Sequence, residues 1–237
     1  MAIKTTTPIY PITQTDPESS YAEAYRTIET NIQLLSMNVK AFLVTSARPG
    51  EGKTSTAANL AIVAAQATKR VLLVDADLRH PQLAHRFHVS TNTGLTKVLR
   101  QGCELQEAVL PTEVEGLHLL PSGPIGINSP SLLSSLAFTS LVGKLKSKYD
   151  LVIFDAPPVL PVSDALVLSR NVDGIVFVVD GAASNRLAAL RAINEIHKVQ
   201  GKIIGGILNR GPRDNDNAYY YTPTFDPPSH ESTMPLN

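Results

Sequence analysis

Hydrophobic residues along the chain fall into six short continuous runs, each closed by polar or turn-forming residues. The runs occupy residues 42–47, 71–77, 117–121, 151–155, 174–180 and 203–209. Continuous rather than alternating hydrophobicity is typical of strands that are buried on both faces, as in a parallel sheet. We therefore predict six strands of one mainly parallel sheet.

Helical spacing fills the intervals between these runs. Residues 54–68, 131–148 and 185–200 are predicted as helices, and apolar residues recurring within 19–38 (Ala22, Tyr25, Ile28) predict a surface helix before the first strand. The alternation of strand and helix predicts a doubly wound α/β domain with one core and no second domain.

The two ends of the chain differ from its middle in amino-acid composition. Residues 1–18 are rich in proline and threonine and are predicted to be an irregular lead-in, while residues 19–210 form the domain. Residues 211–237 are polar, lack apolar periodicity and hold several prolines, so they are predicted to be a flexible tail.

Composition excludes several classes of protein. Lys+Arg and Asp+Glu both number 21, so the net charge is zero and no global basic field attracts nucleic acid. No apolar run approaches the about 18 residues of a membrane-spanning helix. The single cysteine, Cys103, excludes an internal disulfide framework and a multi-cysteine metal cluster. We expect a soluble cytoplasmic protein that does not bind nucleic acid.

A glycine-rich loop joins the first strand to an alanine-rich helix. Its sequence, ARPGEGKTS at residues 47–55, follows the G-x-x-x-x-G-K-[ST] pattern with Ala47 in place of the first glycine. Gly50 and Gly52 allow the backbone to turn its N–H groups toward phosphate oxygens, and the helix N-terminus adds a positive dipole end. Lys53 would reach the β- and γ-phosphates and Thr54 would bind Mg²⁺. The loop predicts a nucleotide site.

Three carboxylates support that prediction from the ends of two other strands. Asp75 and Asp77 close one strand and Asp155 closes another. Because the carboxyl ends of parallel strands line the ligand crevice of an open sheet, all three should face the loop. Mg²⁺ takes one or two carboxylates, which Asp155 with Asp75 or Asp77 could supply. A remaining carboxylate could accept the proton of an attacking hydroxyl.

The last strand bears on the choice of nucleotide. Guanine-specific enzymes of this class carry [NT]-K-x-D after a late strand, whereas this strand ends in Asn209-Arg210-Gly211 without that aspartate. ATP is therefore favoured over GTP. Asn209 and Arg210 are candidates to border the adenine, with a loop cap as the alternative.

The wider arrangement resembles the deviant phosphate-loop ATPases that position plasmids and division septa, the ParA/MinD-like group. Those proteins have a second lysine near the start of the loop, where this chain has Arg48. The combination of PGEGKT at 49–54, DADLR at 75–79 and DAPP at 155–158 is similar to the bacterial tyrosine kinases of capsule and exopolysaccharide synthesis. Further similarities, among them Ser163-Asp164-Ala165, extend over roughly residues 20 to 210.

This resemblance implies ATP-dependent phosphorylation of tyrosines in a C-terminal cluster, with Mg²⁺ as the metal. It implies Lys53, Asp75 and Asp77 as catalytic residues, with Asp75 the favoured base and Asp77 close behind. It implies Thr54, Asp75 and Asp155 as Mg²⁺ ligands. Arg79 would bind phosphate or an interface. The full ATP site expected comprises Pro49, Gly50, Glu51, Gly52, Lys53, Thr54, Ser55, Arg79, Asn209 and Arg210.

Tyr219, Tyr220 and Tyr221 stand together in the polar tail, and they are the expected autophosphorylation sites. An extended chain from Gly211 to Tyr219 reaches about 27 Å, about the width of a small domain. An aromatic patch that grips the domain surface is the alternative interpretation.

The first helix departs from the kinase pattern. The family shows E-x-x-R-x-x-R here and packs this helix against a neighbouring subunit in a ring, but this chain has Glu23, Arg26 and Glu29. The three residues share one helix face, where Arg26 can be neutralised within its own helix. They are the expected oligomer interface, with a merely solvated face as the alternative, and the ring order stays open.

Partners follow from the resemblance alone. It implies a separate transmembrane activator of the polysaccharide co-polymerase type that recruits the chain to the inner face of the membrane, a homo-oligomer, and sugar-nucleotide enzymes as candidate substrates. Two alternatives remain: a ParA/MinD-like ATPase switch without kinase activity, and a nucleotide-binding regulatory subunit that transfers no phosphate.

Overall fold

The computed structural model describes residues 11–35, 39–67, 69–89, 92–124 and 129–211, whose strands form one seven-stranded sheet. The strands are β1 (Ala41–Ser46), β2 (Val71–Asp75), β3 (Leu110–Pro111), β4 (Leu117–Leu120), β5 (Leu151–Asp155), β6 (Gly174–Asp180) and β7 (Ile203–Asn209). Their order across the sheet is β3-β4-β2-β5-β1-β6-β7. All neighbours are parallel except β3, which pairs antiparallel with β4.

All six predicted strands are present, with ends that differ by no more than two residues from the hydrophobic runs. The two-residue strand β3 was not predicted because so short a pairing leaves no periodic pattern. It lies at the edge of the sheet beside β4. The sequence therefore predicts the parallel strands of the sheet, but it does not predict the short antiparallel strand at its edge.

Ten helices are present among the described residues. They are α1 (Ile12–Thr15), α2 (Ser20–Leu35), α3 (Lys53–Gln66), α4 (Leu83–Arg86), α5 (Leu95–Leu99), α6 (Leu105–Ala108), α7 (Ser129–Leu133), α8 (Leu136–Lys148), α9 (Asp164–Leu168) and α10 (Arg186–Lys198). The single helix predicted over 131–148 is in fact two helices. It is interrupted because the Ser135 hydroxyl accepts the N–H of Phe138 and caps α8 there.

Both faces of the sheet are covered, as the continuous hydrophobic runs predicted. Phe42 and Val44 of β1 pack on the side of α3, whereas Leu43 between them packs into the cluster that contains α8 and α10. Helix α3 is buried over most of its length, and its alanines allow it to lie close against the strands. The helix that follows the glycine-rich loop is therefore fixed firmly to the sheet.

The segment predicted to be an irregular lead-in contains the one-turn helix α1. Thr13 is buried there, and both its backbone N–H and its hydroxyl donate to Oδ1 of Asn59 on α3, at 3.0 and 2.9 Å. A polar anchor of this kind leaves no hydrophobic periodicity in the sequence.

Within the described residues, no helix is both long and apolar enough to cross a membrane.

The strand order brings three functional strand ends together. Strand β5 lies between β1 and β2, and its Asp155 is in register with Val44 of β1 and with Asp75 of β2. The glycine-rich loop leaves the carboxyl end of β1 at the same edge. The crevice outside these ends is where parallel α/β sheets bind ligands.

Candidate active site

Two glycines give the loop between β1 and α3 its shape. Gly50 and Gly52 have φ values of +85° and +98°, in the left-handed region that favours glycine. A Cβ on Gly52 would lie 2.1 Å from Nδ2 of Asn209, so a side chain there would also clash. Helix α3 begins at Lys53, and among the described residues no side chain caps its first N–H groups. These groups are available to an anion, which the helix dipole also favours.

Ala47, the residue that replaces the first glycine of the pattern, is buried at the end of β1. It is not among the residues with positive φ. Its carbonyl oxygen accepts a hydrogen bond from Leu160. Alanine is therefore compatible with this position because the backbone there needs no left-handed conformation.

Glu51 lies inside the loop, but its side chain faces away from the crevice. One carboxylate oxygen accepts the Arg48 N–H at 2.9 Å, and the other accepts the hydroxyl of Ser184, between β6 and α10. Glu51 is buried and does not line the cavity described below. Glu51 was expected to contact ATP, but its side chain stabilises the conformation of the loop and does not line the cavity.

Asn209 and Arg210, at the end of β7, also hold the loop. The Asn209 amide donates to the Glu51 carbonyl oxygen at 3.1 Å, and Arg210 donates to the Gly50 carbonyl oxygen at 2.7 Å. Arg210 also pairs with the buried carboxylate of Asp180. Both residues line the cavity, so they combine a place at the candidate adenine side with direct support of the loop.

Lys53 is the centre of a buried group of charges. Its Nζ lies 2.9 Å from Oδ2 of Asp77, 3.4 Å from the Thr54 hydroxyl and 3.9 Å from Oδ1 of Asp155. Burial by itself would lower the Lys53 pKa, but Asp155 and Asp77 outweigh it and the pKa is raised. Lys53 is therefore a cation at neutral pH.

Asp155 is fully buried, and neither of its carboxylate oxygens has a hydrogen-bond partner among the described residues. Burial raises its pKa to about 6, against the opposing effects of Lys53 and the neighbouring Thr54. An unsatisfied buried carboxylate beside a hydroxyl is the donor set that a hard divalent cation requires. Thr54 and Asp155 thus fit the predicted Mg²⁺ ligands.

Asp75 and Asp77 have different surroundings, although Asp75 is the last residue of β2 and Asp77 follows two residues later. Oδ2 of Asp75 accepts the N–H groups of Gln82 and Leu83 at 3.1 and 3.0 Å, and so it caps α4. Asp75 is fully buried, and burial together with the nearby Asp155 raises its pKa well above the usual range. Asp77 instead contacts Lys53 and lines the cavity. Of the two acids, Asp77 is the one placed to meet a ligand.

A cavity of about 650 Å³ opens over this group. Nine of the ten residues expected in the ATP site line it, and Glu51 is the one that does not. The lining comprises Pro49, Gly50, Gly52, Lys53, Thr54, Ser55, Asp77, Arg79, His80, Gln82, Arg86, Pro157, Pro158, Pro161, Val162, Asn209 and Arg210.

Glu51 is buried outside this lining. Asp75 and Asp155 are also absent from the lining, because they lie beneath its surface. The phosphate loop, Lys53 and Asp77 therefore share one cavity at the carboxyl edge of the sheet.

Arg79 lines this cavity, and its guanidinium is paired with a buried carboxylate. Its Nε and Nη2 donate to the two carboxylate oxygens of Asp164 at 3.1 and 3.2 Å, and Asp164 is fully buried at the start of α9. The pair links the segment after β2 to the segment after β5. Sequence analysis assigned no role to Asp164, although the Ser163-Asp164-Ala165 motif pointed to it.

The predicted interface face of α2 divides into two parts. Arg26 pairs with Glu23 at 2.8 Å, and both side chains are partly exposed, as expected. Glu29 is buried and pairs with Lys69 at 2.8 Å, so its carboxylate is turned toward its own domain. The alternative of a merely solvated face is therefore wrong for Glu29, because Lys69 from beyond α3 neutralises it, and the interface role of the three residues stays a prediction. Tyr219, Tyr220 and Tyr221 lie outside the described residues.

The chain is similar to known proteins over most of its length. The family model described as an AAA domain matches residues 39–203. The chain is 41% identical over 217 residues to the tyrosine-protein kinase YwqD of Bacillus subtilis, and the match covers 91% of this chain and 92% of that protein. The crystal structure of the chimerical protein CapA2B2 is similar with a TM-score of 0.83 and 36% identity, over 86% of this chain and 90% of that chain.

A more distant structural likeness supports the fold. The septum site-determining protein MinD of Pyrococcus horikoshii, solved as a complex with Mg-ADP, has a TM-score of 0.62 and 26% identity. The likeness covers 74% of this chain and 72% of that chain. The predicted doubly wound, mainly parallel phosphate-loop fold of the ParA/MinD-like group is confirmed.

Proposed function

Because this chain belongs to the family of bacterial tyrosine-protein kinases, we propose that it transfers the γ-phosphate of ATP to tyrosines of its own C-terminal segment, Tyr219, Tyr220 and Tyr221. The observation that carries the proposal is the meeting of Lys53 and Asp77 on the wall of one cavity, above Asp155 and at the N-terminus of α3. Phosphate-binding groups and a candidate base on one cavity wall support phosphate transfer at this point.

ATP would lie with its phosphates against the loop. The free N–H groups at the start of α3 and the Lys53 ammonium favour phosphate oxygens. Thr54 and Asp155 would hold Mg²⁺, which supplies positive charge to the phosphates when bound. One carboxylate oxygen of Asp75 has no partner among the described residues, but its other oxygen caps α4 and the residue is beneath the cavity surface. It is the less suitable of the expected Mg²⁺ ligands.

Asp77 is the proposed general base. The phenolic oxygen of the tyrosine attacks the γ-phosphorus, its proton passes to the Asp77 carboxylate, and the bond to the β–γ bridging oxygen breaks with its electron pair leaving on ADP. In the structure the Asp77 carboxylate is paired with Lys53. Phosphate competes for that ammonium, and its binding would release Asp77 to accept the proton.

The position of the last strand supports the tail as substrate. Strand β7 runs parallel to β6 and ends at Asn209, next to the loop that Asn209 and Arg210 hold. The chain after Gly211 therefore starts at the cavity. A tethered substrate has a high local concentration and needs little recognition chemistry of its own.

Phosphosite mass spectrometry of the full chain after incubation with ATP and Mg²⁺ tests this proposal. Phosphate on Tyr219, Tyr220 or Tyr221 in the wild type, and its absence in Lys53→Met, are the expected results. The assay is run alone and with the cytoplasmic segment of a candidate membrane activator. ATP hydrolysis without phosphotyrosine in either arm would favour the MinD-like ATPase switch, and nucleotide binding without hydrolysis would favour the regulatory subunit.

The proposal extends to the setting of the enzyme. The chain would act at the inner face of the membrane with a separate transmembrane partner of the co-polymerase type, as a homo-oligomer, and would regulate capsule or exopolysaccharide synthesis and export. Enzymes that make sugar nucleotides are the candidate further substrates. A strain that carries Lys53→Met should make altered amounts or lengths of surface polysaccharide if this setting is correct.

A further inference from the structure

Arg86 is a half-buried arginine at the end of α4, and no sequence motif pointed to it. It lines the nucleotide cavity and also a second cavity of about 230 Å³, whose lining includes Tyr21 and Tyr25 of α2. Ser55, in the first turn of α3, lines both cavities as well. Arg86 is therefore next to the phosphate loop, on the side that faces α2.

The guanidinium of Arg86 has no paired carboxylate among the described residues. Its Nε is buried, and no hydrogen-bond partner for it lies within the part of the chain that the structure describes. The other lysine and arginine side chains of the cavity differ in this respect, since Lys53 pairs with Asp77, Arg79 with Asp164 and Arg210 with Asp180. Arg86 is thus the unpaired cation of the described cavity lining.

An unpaired cation that is partly removed from water is costly to the folded chain. Burial lowers the Arg86 pKa, and the charge of Asp155 opposes that effect only in part. An anion bound in the cavity would offset the cost. The planar guanidinium is suited to two oxygens of one phosphate group.

We propose that Arg86 binds the γ-phosphate of ATP. The inference rests on the nucleotide site proposed above. The loop N–H groups would serve the phosphates nearer the nucleoside, whereas Arg86 lines the cavity together with Lys53 and Asp77. Lys53 and Asp77 meet at this end of the cavity, where the transferred group must lie.

The test compares two nucleotides in the full chain with Mg²⁺ present. Arg86→Gln should weaken binding of an ATP analogue with a non-hydrolysable β–γ link by about 10- to 100-fold, and should change ADP affinity by no more than about twofold. Arg86→Lys should recover part of the loss, since it restores the charge without the planar fork. The Tm of the ligand-free Arg86→Gln chain should be equal to or above that of the wild type, because an uncompensated charge is removed.

Arg70→Gln is the matched control, because Arg70 is an exposed arginine before β2, at the opposite edge of the sheet. It should leave both affinities unchanged. Equal losses for the analogue and ADP, no loss for either, or a lowered ligand-free Tm for Arg86→Gln would each overturn the inference. A wild-type chain that binds neither nucleotide would instead contradict the proposed function itself.

Discussion

Asp75 and Asp77 are two residues apart in the sequence, and the fold gives them different chemistry. Asp75 is fully buried, caps α4 and has a raised pKa, so it behaves as a structural group that tolerates a proton. Asp77 is at the cavity wall against Lys53. Sequence analysis favoured Asp75 as the base, whereas the geometry supports Asp77.

Asp77→Asn should therefore reduce the rate of tyrosine phosphorylation by about 10²- to 10⁴-fold, because it removes the carboxylate of the described cavity lining that can accept the phenolic proton. ADP binding should persist. Asp75→Asn, whose amide oxygen can still accept the α4 N–H groups, should lose much less activity. Single-turnover transfer from labelled ATP measures both rates. A correctly folded Asp75→Asn chain that is as inactive as Asp77→Asn would contradict the assignment.

The raised pKa of Asp155 predicts a dependence of stability on pH. Its folded pKa of about 6 lies above the usual value, so the proton stabilises the folded chain at low pH and that contribution is lost as pH rises through about 6. Asp155→Asn should therefore gain stability relative to the wild type at about pH 8, by at most about 3 kcal/mol, and the gain should shrink near pH 5. Urea unfolding without Mg²⁺ measures it, and a gain independent of pH would count against the shift.

At the scale of elements, α2 is fixed to its own domain by a charge pair. Glu29 is buried against Lys69, which follows α3, and Gln33 on the next turn of α2 also contacts it. Ile28 and Ile32 of the same helix pack on the cluster around α3. Glu29 therefore contributes to the attachment of α2 more directly than to a contact with a second subunit.

Glu29→Gln should lower the free energy of unfolding by about 1–2 kcal/mol, because it leaves the Lys69 ammonium half-buried without its carboxylate. Glu23→Gln, on an exposed turn of the same helix, should change it by less than about 0.5 kcal/mol. Chemical denaturation measures both values, and light scattering gives the oligomeric mass. A changed mass with unchanged stability in Glu29→Gln would restore the interface role expected from the sequence.

The end of β7 connects the loop to the chain that follows. Asn209 and Arg210 donate to carbonyl oxygens of the loop, and the described chain ends one residue later. Arg210 adopts a positive φ, an uncommon conformation for a residue with a side chain. Its bonds to Gly50 and Asp180 hold it there.

At the scale of the whole molecule, the tail and the assembly are expected to be coupled. The segment between Gly211 and the C-terminus contains Asp214, Asp216 and Asp226, and phosphate on the tyrosine cluster would add further negative charge. A cavity whose floor already holds Asp75, Asp77 and Asp155 should bind such a segment less well. Phosphorylation would then release the tail and loosen the oligomer.

The oligomeric mass of the chain should accordingly fall after complete phosphorylation. A variant with Tyr219, Tyr220 and Tyr221 all replaced by phenylalanine should keep its mass after the same treatment with ATP and Mg²⁺. Size-exclusion chromatography with light scattering, alongside mass spectrometry of phosphate occupancy, measures both. Equal mass before and after full phosphorylation of the wild type would contradict the coupling.

The sequence by itself determined the parallel sheet, the phosphate loop and the three acids at strand ends. Buried parallel strands need continuous hydrophobic runs, and the loop needs glycines at fixed positions, so both leave local patterns. The edge at which Asp75, Asp77 and Asp155 gather follows from strand direction alone.

Only the tertiary structure decided which way the individual side chains turn. Glu29 meets a lysine 40 residues away and Arg79 meets an aspartate 85 residues away, and no local pattern records either pairing. The same is true of the capping role of Asp75 and of the unpaired Arg86. The charge environment of a side chain depends on segments that the fold brings together, and that is why the sequence predicted where the site lies but not how its charges are paired.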